Sequence, residues 1–291
     1  MTACFAPAKV NLALHITGQR ADGYHLLDSL VVFPRIGDTL IASAAPAGAA
    51  PSLTLTGRFA AELGETAAQD NLVLRALGAA CAAAGRPEPS LALTLDKQLP
   101  VASGIGGGSS DAAAALKVAL DDLELAPEAL QSLALSLGAD VPACLEGVLT
   151  GRPLRMSGIG ETLTPLSPLP DLGMVLVNPG KPVSTPAIFR SLSRRDNPPL
   201  PDLPDRFETL ETLIDWLKGT RNDMQAAAET LCPEITSVLQ ALSEAPSTRL
   251  ARMSGSGATC FALTAPGDEE QLAQDLRAAH PDWWVAAGPL L

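Results

Sequence analysis

The amino-acid sequence predicts an α+β fold divided into two domains, and three observations carry that expectation. Between residues 90 and 123 a period-two strand pattern, a glycine-rich bend and an alanine-rich helix follow one another. From Gly173 onward the pattern reduces to β-α-β-β-α-β, the ferredoxin-like split arrangement, with extra helices inserted in its first crossover. A length of 291 residues with 47% apolar side chains leaves room for two ordinary cores. The change of architecture and the turn-rich stretch 151–172 put the boundary near 160, giving expected domains of 1–160 and 161–291.

Along the N-terminal domain, residues 5–16 (FAPAKVNLALHI) alternate, with Val10, Leu12, Leu14 and Ile16 on one strand face and Lys9, Asn11, Ala13 and His15 on the other. The second face reads either as a solvated face or as polar groups presented to a site. After the turn GQRADG an extended run, Tyr24–Phe33, completes a hairpin. Short strands at Leu40–Ser43 and Leu53–Thr56 precede a helix over Asp70–Ala84, capped by Asp70 and stopped by Gly85. In SLALTLDK, Leu91, Leu93 and Leu95 recur at period two, and Pro100 ends the strand by removing a ladder donor. Ser109, Ser110 and Asp111 suit the cap and first turn of a helix over 110–123, which alanines then propagate. A further helix starts with Pro127 in its first turn and stops at Gly138. Asp140 follows in a short loop bracketed by Gly138 and Pro142, where it is either the cap of the next turn or a carboxylate shown to a site.

The C-terminal half reads as strand 173–178, loop PGKPVST, a helix near 185–192, a proline-rich connector 196–206 and helices near 207–218, 222–231 and 233–243. Strands 248–253 and 258–264 flank the turn SGSG, and helix 267–279 and strand 283–288 close the chain. The MSGSGA stretch, 253–258, reads as a hairpin turn or as a second supply of backbone N–H groups for an anion.

The bend PVASGIGGGSSDAAAAL, residues 100–116, carries the chemistry. The first turn of a helix has N–H groups without partners and a partial positive charge, and glycines let an anion come close to them. Two better-known phosphate cradles are excluded on spacing: GxxxxGK[ST] needs a lysine that the bend lacks, and in GxGxxG the final glycine position is held by Ser109. The alternative is a connector without a ligand. A net charge of −12 repels nucleic acid, anionic membranes and nucleotides alike. Any phosphate bound at the bend therefore needs local cations, which directs attention to Lys9, Lys97, Lys117, Lys181 and Lys218.

Composition excludes other classes. The five cysteines lie 28 residues or more apart and the three histidines are scattered, so neither a disulfide framework nor a structural zinc site is expected, and any metal would be held largely by oxygen. MTACFAPAKV has no basic region followed by a long apolar stretch, and no run reaches membrane-spanning length, so a cytoplasmic chain is expected.

Three separated segments resemble the GHMP kinases: the strand PAKVNLALHITGQRADGYHLLDSL, the loop P-x-x-x-G-[LI]-G-x-x-S-S within LPVASGIGGGSSDAAAAL, and the glycine turn in RMSGSGATCFAL. LGADVPACL, NPGKPVSTPAIF and TRNDMQAA extend the likeness over nearly the whole chain. The resemblance implies an N-terminal β-α domain with the phosphate loop, a C-terminal ferredoxin-like domain, and phosphorylation of a small-molecule alcohol by ATP with Mg2+. Within the family the likeness is to the branch that phosphorylates the 2-hydroxyl of a cytidylated methylerythritol in isoprenoid precursor synthesis. It implies Asp140 as the base and Lys9 as its charged neighbour. It implies nucleotide contacts from Pro100, Val101, Ala102, Ser103, Gly104, Ile105, Gly106, Gly107, Gly108, Ser109, Ser110, Lys97 and Asn71. For the acceptor it implies Asn11, Tyr24, His25, Thr185 and Phe189, with two aromatic rings sandwiching the cytosine; it assigns no side chain to the metal. Ser103, where the loop has glycine or alanine, and Ile105, where it has leucine, depart from the pattern. The remaining readings are a GHMP kinase for homoserine, mevalonate or a sugar, and a non-catalytic binding module. Neither a nucleic-acid nor a membrane partner is expected, and the sequence leaves the oligomeric state undetermined.

Overall fold

A computed structural model describes residues 1–64 and 71–291. Its first six strands are β1 (Thr2–Pro7), β2 (Val10–Gln19), β3 (His25–Val32), β4 (Gly37–Ala44), β5 (Ser52–Thr56) and β6 (Leu91–Asp96). Helix α1 (Leu72–Ala83) precedes β6, and α2 (Gly107–Leu120), α3 (Pro127–Leu137) and α4 (Val141–Thr150) follow it. Then come β7 (Leu154–Gly158), β8 (Thr162–Pro165), β9 (Gly173–Asn178), α5 (Thr185–Ser191), α6 (Leu210–Lys218), α7 (Gln225–Leu231) and α8 (Glu234–Glu244). Strands β10 (Leu250–Met253) and β11 (Cys260–Thr264), helix α9 (Glu269–Ala279) and strand β12 (Trp284–Pro289) complete the described chain.

Two compact units result, and neither is continuous in sequence. One takes Met1–Ala8, Gly37–Val101 and Gly106–Thr150; the other takes Lys9–Ile36, Ala102–Ile105 and Gly151–Leu291. They do not coincide with a single cut near residue 160, because strand pairing rather than chain order decides membership: β3 pairs with β2 on one side and with β7 on the other.

In the first unit the sheet order is β1-β4-β6-β5, antiparallel except for the parallel β5–β6 pair. Its core is built around α2, where Ala112, Ala113, Ala114, Ala115 and Leu116 are all at most 1% exposed. A helix buried on every side needs small side chains to let neighbours approach, and the alanine run supplies them against Ala76, Leu77 and Ala80 of α1 and Cys144 of α4. Helix α1 is capped by Asn71, whose Oδ1 accepts from Val73 N at 2.9 Å; the cap expected at Asp70 lies outside the described residues. Helix α2 begins earlier than expected, at Gly107, with Gly106 (φ 66°) as its cap. The side chains expected to cap it are committed elsewhere: Ser110 Oγ donates to Pro7 O at 2.7 Å, and Asp111 meets Lys97. Helix α4 was not anticipated; it begins directly after Asp140, whose carbonyl accepts from Cys144 N at 3.0 Å.

The second unit holds two four-stranded sheets, β2-β3-β7-β8 and β10-β11-β9-β12, the latter wholly antiparallel. Counted along the chain, that order is 2-3-1-4, the pairing of the split β-α-β arrangement expected from Gly173 onward. On the strand that contains β2, burial decides between the two readings: Lys9 (4%), Asn11 (1%) and His15 (1%) are buried nearly as thoroughly as Val10 and Leu12, so the polar face is not solvated. No described helix is long and apolar enough to cross a membrane, and the five cysteines are free thiols, four of them buried.

One buried charge cluster ties the first unit together. Lys97 Nζ lies 2.5 Å from Asp38 Oδ2 and 2.7 Å from Asp111 Oδ2, with all three side chains at most 3% exposed. Asp38 Oδ1 also accepts from the amides of Gln98 (2.6 Å) and Leu99 (2.8 Å), whereas buried Asp111 Oδ1 has no partner among the described residues. Asp111 is therefore the poorly solvated carboxyl. Burial pushes its pKa up to about 7, against the pull of Lys97. For Lys97, burial favours the neutral form, but Asp111 and Asp38 override it and raise the pKa.

A folded-state pKa raised above the unfolded value means that Asp111 contributes stability that is full below about pH 4 and lost as pH rises through about 7. Lys97 is protonated in both folded and unfolded states over that window and adds no slope. Asp111→Asn keeps an acceptor for Lys97 and removes the titration. The wild type is expected to lose stability relative to this variant between pH 5 and pH 8, by about 3 kcal/mol, measured by urea denaturation at each pH. A difference that stays constant across the range contradicts the assignment. Lys97→Met, which strands two carboxylates, is expected to cost about 3–5 kcal/mol in the same measurement at neutral pH; wild-type stability would contradict it.

Candidate active site

The bend divides between the units. In the first, the earliest main-chain bond of α2 runs from Ser110 N to Gly106 O at 2.8 Å, so the amides of Gly107, Gly108 and Ser109 precede the helical ladder. A Cβ built on Gly108 would meet nothing within 4 Å, so protein packing does not demand glycine there, and its absence leaves the amides open to a ligand. Gly107 is constrained from below, since its Cβ would come 3.1 Å from Lys97 Nζ. Pro100 and Ser110 are buried, Ser109 is half-buried and Val101 is exposed.

In the second unit, Ala102 holds a left-handed backbone (φ 50°), a costly conformation for a residue with a Cβ. The residues after it are pinned. Ser103 O accepts from Thr259 N at 3.2 Å, Gly104 O accepts from Ser254 Oγ at 3.3 Å, and Ile105 O accepts from Lys9 N at 2.9 Å. Gly104 (φ 77°) packs so tightly on the 254–257 turn that its Cβ would lie 2.6 Å from Gly257 O; a Cβ on Gly255 would lie 2.6 Å from Gly104 O. The SGSG turn joins the antiparallel pair β10–β11, as the hairpin reading expects, and it also backs the 102–105 segment. The departure at Ser103 is accommodated, with the residue 5% exposed.

The remaining candidates fall into place by unit. In the first, Asp140 is half-buried at the start of α4, and Asn71 is half-buried with Oδ1 engaged in its cap. Lys97, expected at the nucleotide, has its ammonium committed to two buried carboxylates. In the second, Lys9 is buried beside Ile105 through its main chain. Asn11 Nδ2 donates to Ser29 Oγ at 2.7 Å, and Asn11 N donates to Ser254 Oγ at 3.0 Å. Thr185 Oγ1 is 2.7 Å from Ser256 Oγ, which joins α5 to the glycine turn.

His25 stacks on Phe189 with ring centroids 4.3 Å apart and planes 16° apart. Burial and the nearby Arg195 push the imidazole pKa down, favouring the neutral ring. His25 Nε2 is buried and has no partner among the described residues. Tyr24 is 59% exposed. Phe189 is therefore brought together with His25, and Tyr24 stands out toward solvent.

Sequence reasoning missed Asp38 and Asp111, whose role depends on a tertiary meeting with Lys97, and Ser254, whose hydroxyl joins β2 to Gly104. The signal for Ser254 lay within MSGSGA but was indistinguishable there from ordinary turn chemistry. Among the described residues no group of three or more His, Cys, Asp or Glu side chains could hold a metal ion.

The GHMP kinases N terminal domain pattern matches residues 71–148, and the GHMP kinases C terminal pattern matches 203–282. A 4-diphosphocytidyl-2-C-methyl-D-erythritol kinase from Cereibacter sphaeroides is 53% identical over 288 residues, covering 98% of both chains. A crystal structure of a 4-(cytidine 5'-diphospho)-2C-methyl-D-erythritol kinase aligns with a TM-score of 0.77 at 34% identity over 99% of each chain. The mevalonate kinase of Methanococcus jannaschii aligns with a TM-score of 0.67 at 12% identity over 100% of this chain and 98% of its own, a likeness of fold alone. The α+β architecture, both domain patterns and the full-length relatives agree: the chain belongs to the GHMP kinase family, in its 4-diphosphocytidyl-2-C-methyl-D-erythritol kinase group.

Proposed function

We propose that the chain transfers the γ-phosphoryl group of ATP to the 2-hydroxyl of 4-diphosphocytidyl-2-C-methyl-D-erythritol. The observation that carries this reading is the set of amides at Gly107, Gly108 and Ser109, ahead of the first helical bond and open above Gly108, in a chain matched end to end by such a kinase. Phosphoryl transfer asks a protein mainly to align the nucleophile and to offset charge. With the Lys97 ammonium buried between carboxylates, that offset falls to the N-terminus of α2, to Lys9 and to Mg2+. With no acidic cluster among the described residues, the ion would be left chiefly to the triphosphate, and the hydroxyl of half-buried Ser109 would be the protein oxygen offered to it. When bound, Mg2+ neutralises charge between phosphate oxygens.

Asp140 orients the acceptor hydroxyl and takes its proton as the new O–P bond forms and the bond from the γ-phosphorus to the bridging oxygen breaks, releasing ADP. Lys9 stabilises the developing alkoxide. At the base, Phe189 keeps one face against His25 and offers the other to cytosine, exposed Tyr24 closes the stack, and neutral His25 supplies the unpartnered Nε2. Asn11 and Thr185 line the acceptor side, while Asn71 and the 100–110 bend serve the nucleotide. A kinase of this kind works where ATP is supplied, and we place it in the cytoplasm.

ADP release assayed with a mixture of the cytidylated alcohol, homoserine, mevalonate and galactose, each withheld in turn, tests the reading. Turnover is expected to vanish only when the cytidylated alcohol is withheld; turnover that depends on another acceptor, or no turnover at all, overturns the substrate or the kinase assignment respectively. Asp140→Asn and Lys9→Ala are each expected to lower kcat by about 100-fold or more, and near-normal kcat in both discards their roles. Tyr24→Ala is expected to raise KM for the cytidylated alcohol by about tenfold, the worth of a lost base stack, with KM for ATP within about twofold. Equal effects on both substrates contradict the stacking role.

A further inference from the structure

The TRND stretch has no part in the chemistry above, yet it carries a dense polar network of buried and half-buried groups. Residues 221–223 form a short parallel bridge to β2: Leu14 N donates to Arg221 O and Asp223 N donates to Leu14 O, both at 2.9 Å. Asp223 Oδ2 accepts from Ile16 N at 2.7 Å, next to the place where β2 shifts register against β3. Asn222, 7% exposed, sits between these anchors. Its Nδ2 donates to both Met253 O and Gly255 O at 2.8 Å, and its Oδ1 accepts from Met224 N at 2.9 Å. Both amide N–H groups and one acceptor site are thus used, and the two donors hold the carbonyls on either side of Ser254.

Ser254 is the residue that this grip locates. Its hydroxyl accepts from Asn11 N at 3.0 Å and donates to Gly104 O at 3.3 Å, while the turn packs on Gly104 so closely that a Cβ on Gly104 would lie 2.8 Å from Ser254 O and one on Gly255 would lie 2.6 Å from Gly104 O. Two amide bonds from one buried side chain therefore set the surface against which the 102–105 segment rests. That segment includes the left-handed Ala102, a conformation that persists only where the surroundings over-determine it.

We propose that Asn222 is a positioning residue for the phosphate loop: by fixing the carbonyls of Met253 and Gly255 it holds Ser254 and Gly255 behind Gly104, and so sets the affinity of the loop for nucleotide phosphates. The inference rests on the nucleotide-binding part of the proposed function. Asn222→Asp retains the acceptor for Met224 N and removes both donors, so it isolates the grip on the turn. Asp223, which grips β2 instead, serves as the comparison.

The test is isothermal titration of the full chain with ADP and Mg2+, together with KM for each substrate and the melting temperature. Asn222→Asp is expected to weaken ADP binding and raise KM for ATP by about tenfold, with KM for the acceptor within about threefold. Ser254→Ala is expected to do the same, and the double variant to be no worse than about the larger single effect, since both act through one turn. Asp223→Asn is expected to leave ADP affinity within about twofold. If Asn222→Asp does not fold, Ser254→Ala alone carries the test. Unchanged ADP affinity, additive losses in the double variant, or equal rises in both KM values that track a fall in melting temperature overturn the positioning role. Failure of the wild type to bind ADP overturns the nucleotide reading itself, a result separate from failure of the variants to differ.

Discussion

Gly104 and the turn at 254–257 meet backbone to backbone, with no room for a side-chain carbon at Gly104 or Gly255, and the 102–105 segment is organised by that contact. A phosphate loop without its own lysine depends on where its main-chain amides point, so its conformation has to be imposed from outside. The imposing surface is the turn after β10. It is gripped by Asn222 and linked by the Ser254 hydroxyl to β2, and Thr259 N and Lys9 N bind the carbonyls of Ser103 and Ile105 on either side. Three consecutive loop residues, directly after one that holds a left-handed backbone against its preference, are thereby fixed by segments more than 90 positions away in the sequence.

Electrostatics explain why the cations are placed as they are. In a chain of net charge −12 an exposed lysine at the loop would be one charge in an unfavourable field. Lys97 is instead sunk beneath Gly107 between Asp38 and Asp111, where it ties the start of the loop to α2 at the cost of burying two carboxyls around one ammonium. On the proposed reading, the positive potential offered to phosphate then comes from the start of the helix itself.

Local patterns were legible in the sequence, and tertiary commitments were not. The period-two leucines of β6, the Pro127 start and Gly138 end of α3, and the strand–helix succession after Gly173 all came through, because each is decided within a few residues. The start of α2 was misplaced by expecting serine caps, since nothing local shows that Ser110 is drawn to Pro7 and Asp111 to Lys97. The polar side of strand β2 could be read as solvated or as turned to a site, and only the structure shows it buried, with the segment at 221–223 bridged to Leu14. Of the candidate site, the motif residues could be named from resemblance, while the stacking of His25 on Phe189 and the latch at Asn222 required coordinates.

The claim at the centre is that main-chain amides, and not a loop lysine, receive the triphosphate. Amide chemical shifts of the 15N-labelled chain, followed while a non-hydrolysable ATP analogue and Mg2+ are added, test it most directly. The account predicts that the signals of Gly107, Gly108 and Ser109 move furthest and together with a single affinity; signals for these three that stay in place while the analogue binds elsewhere would contradict it.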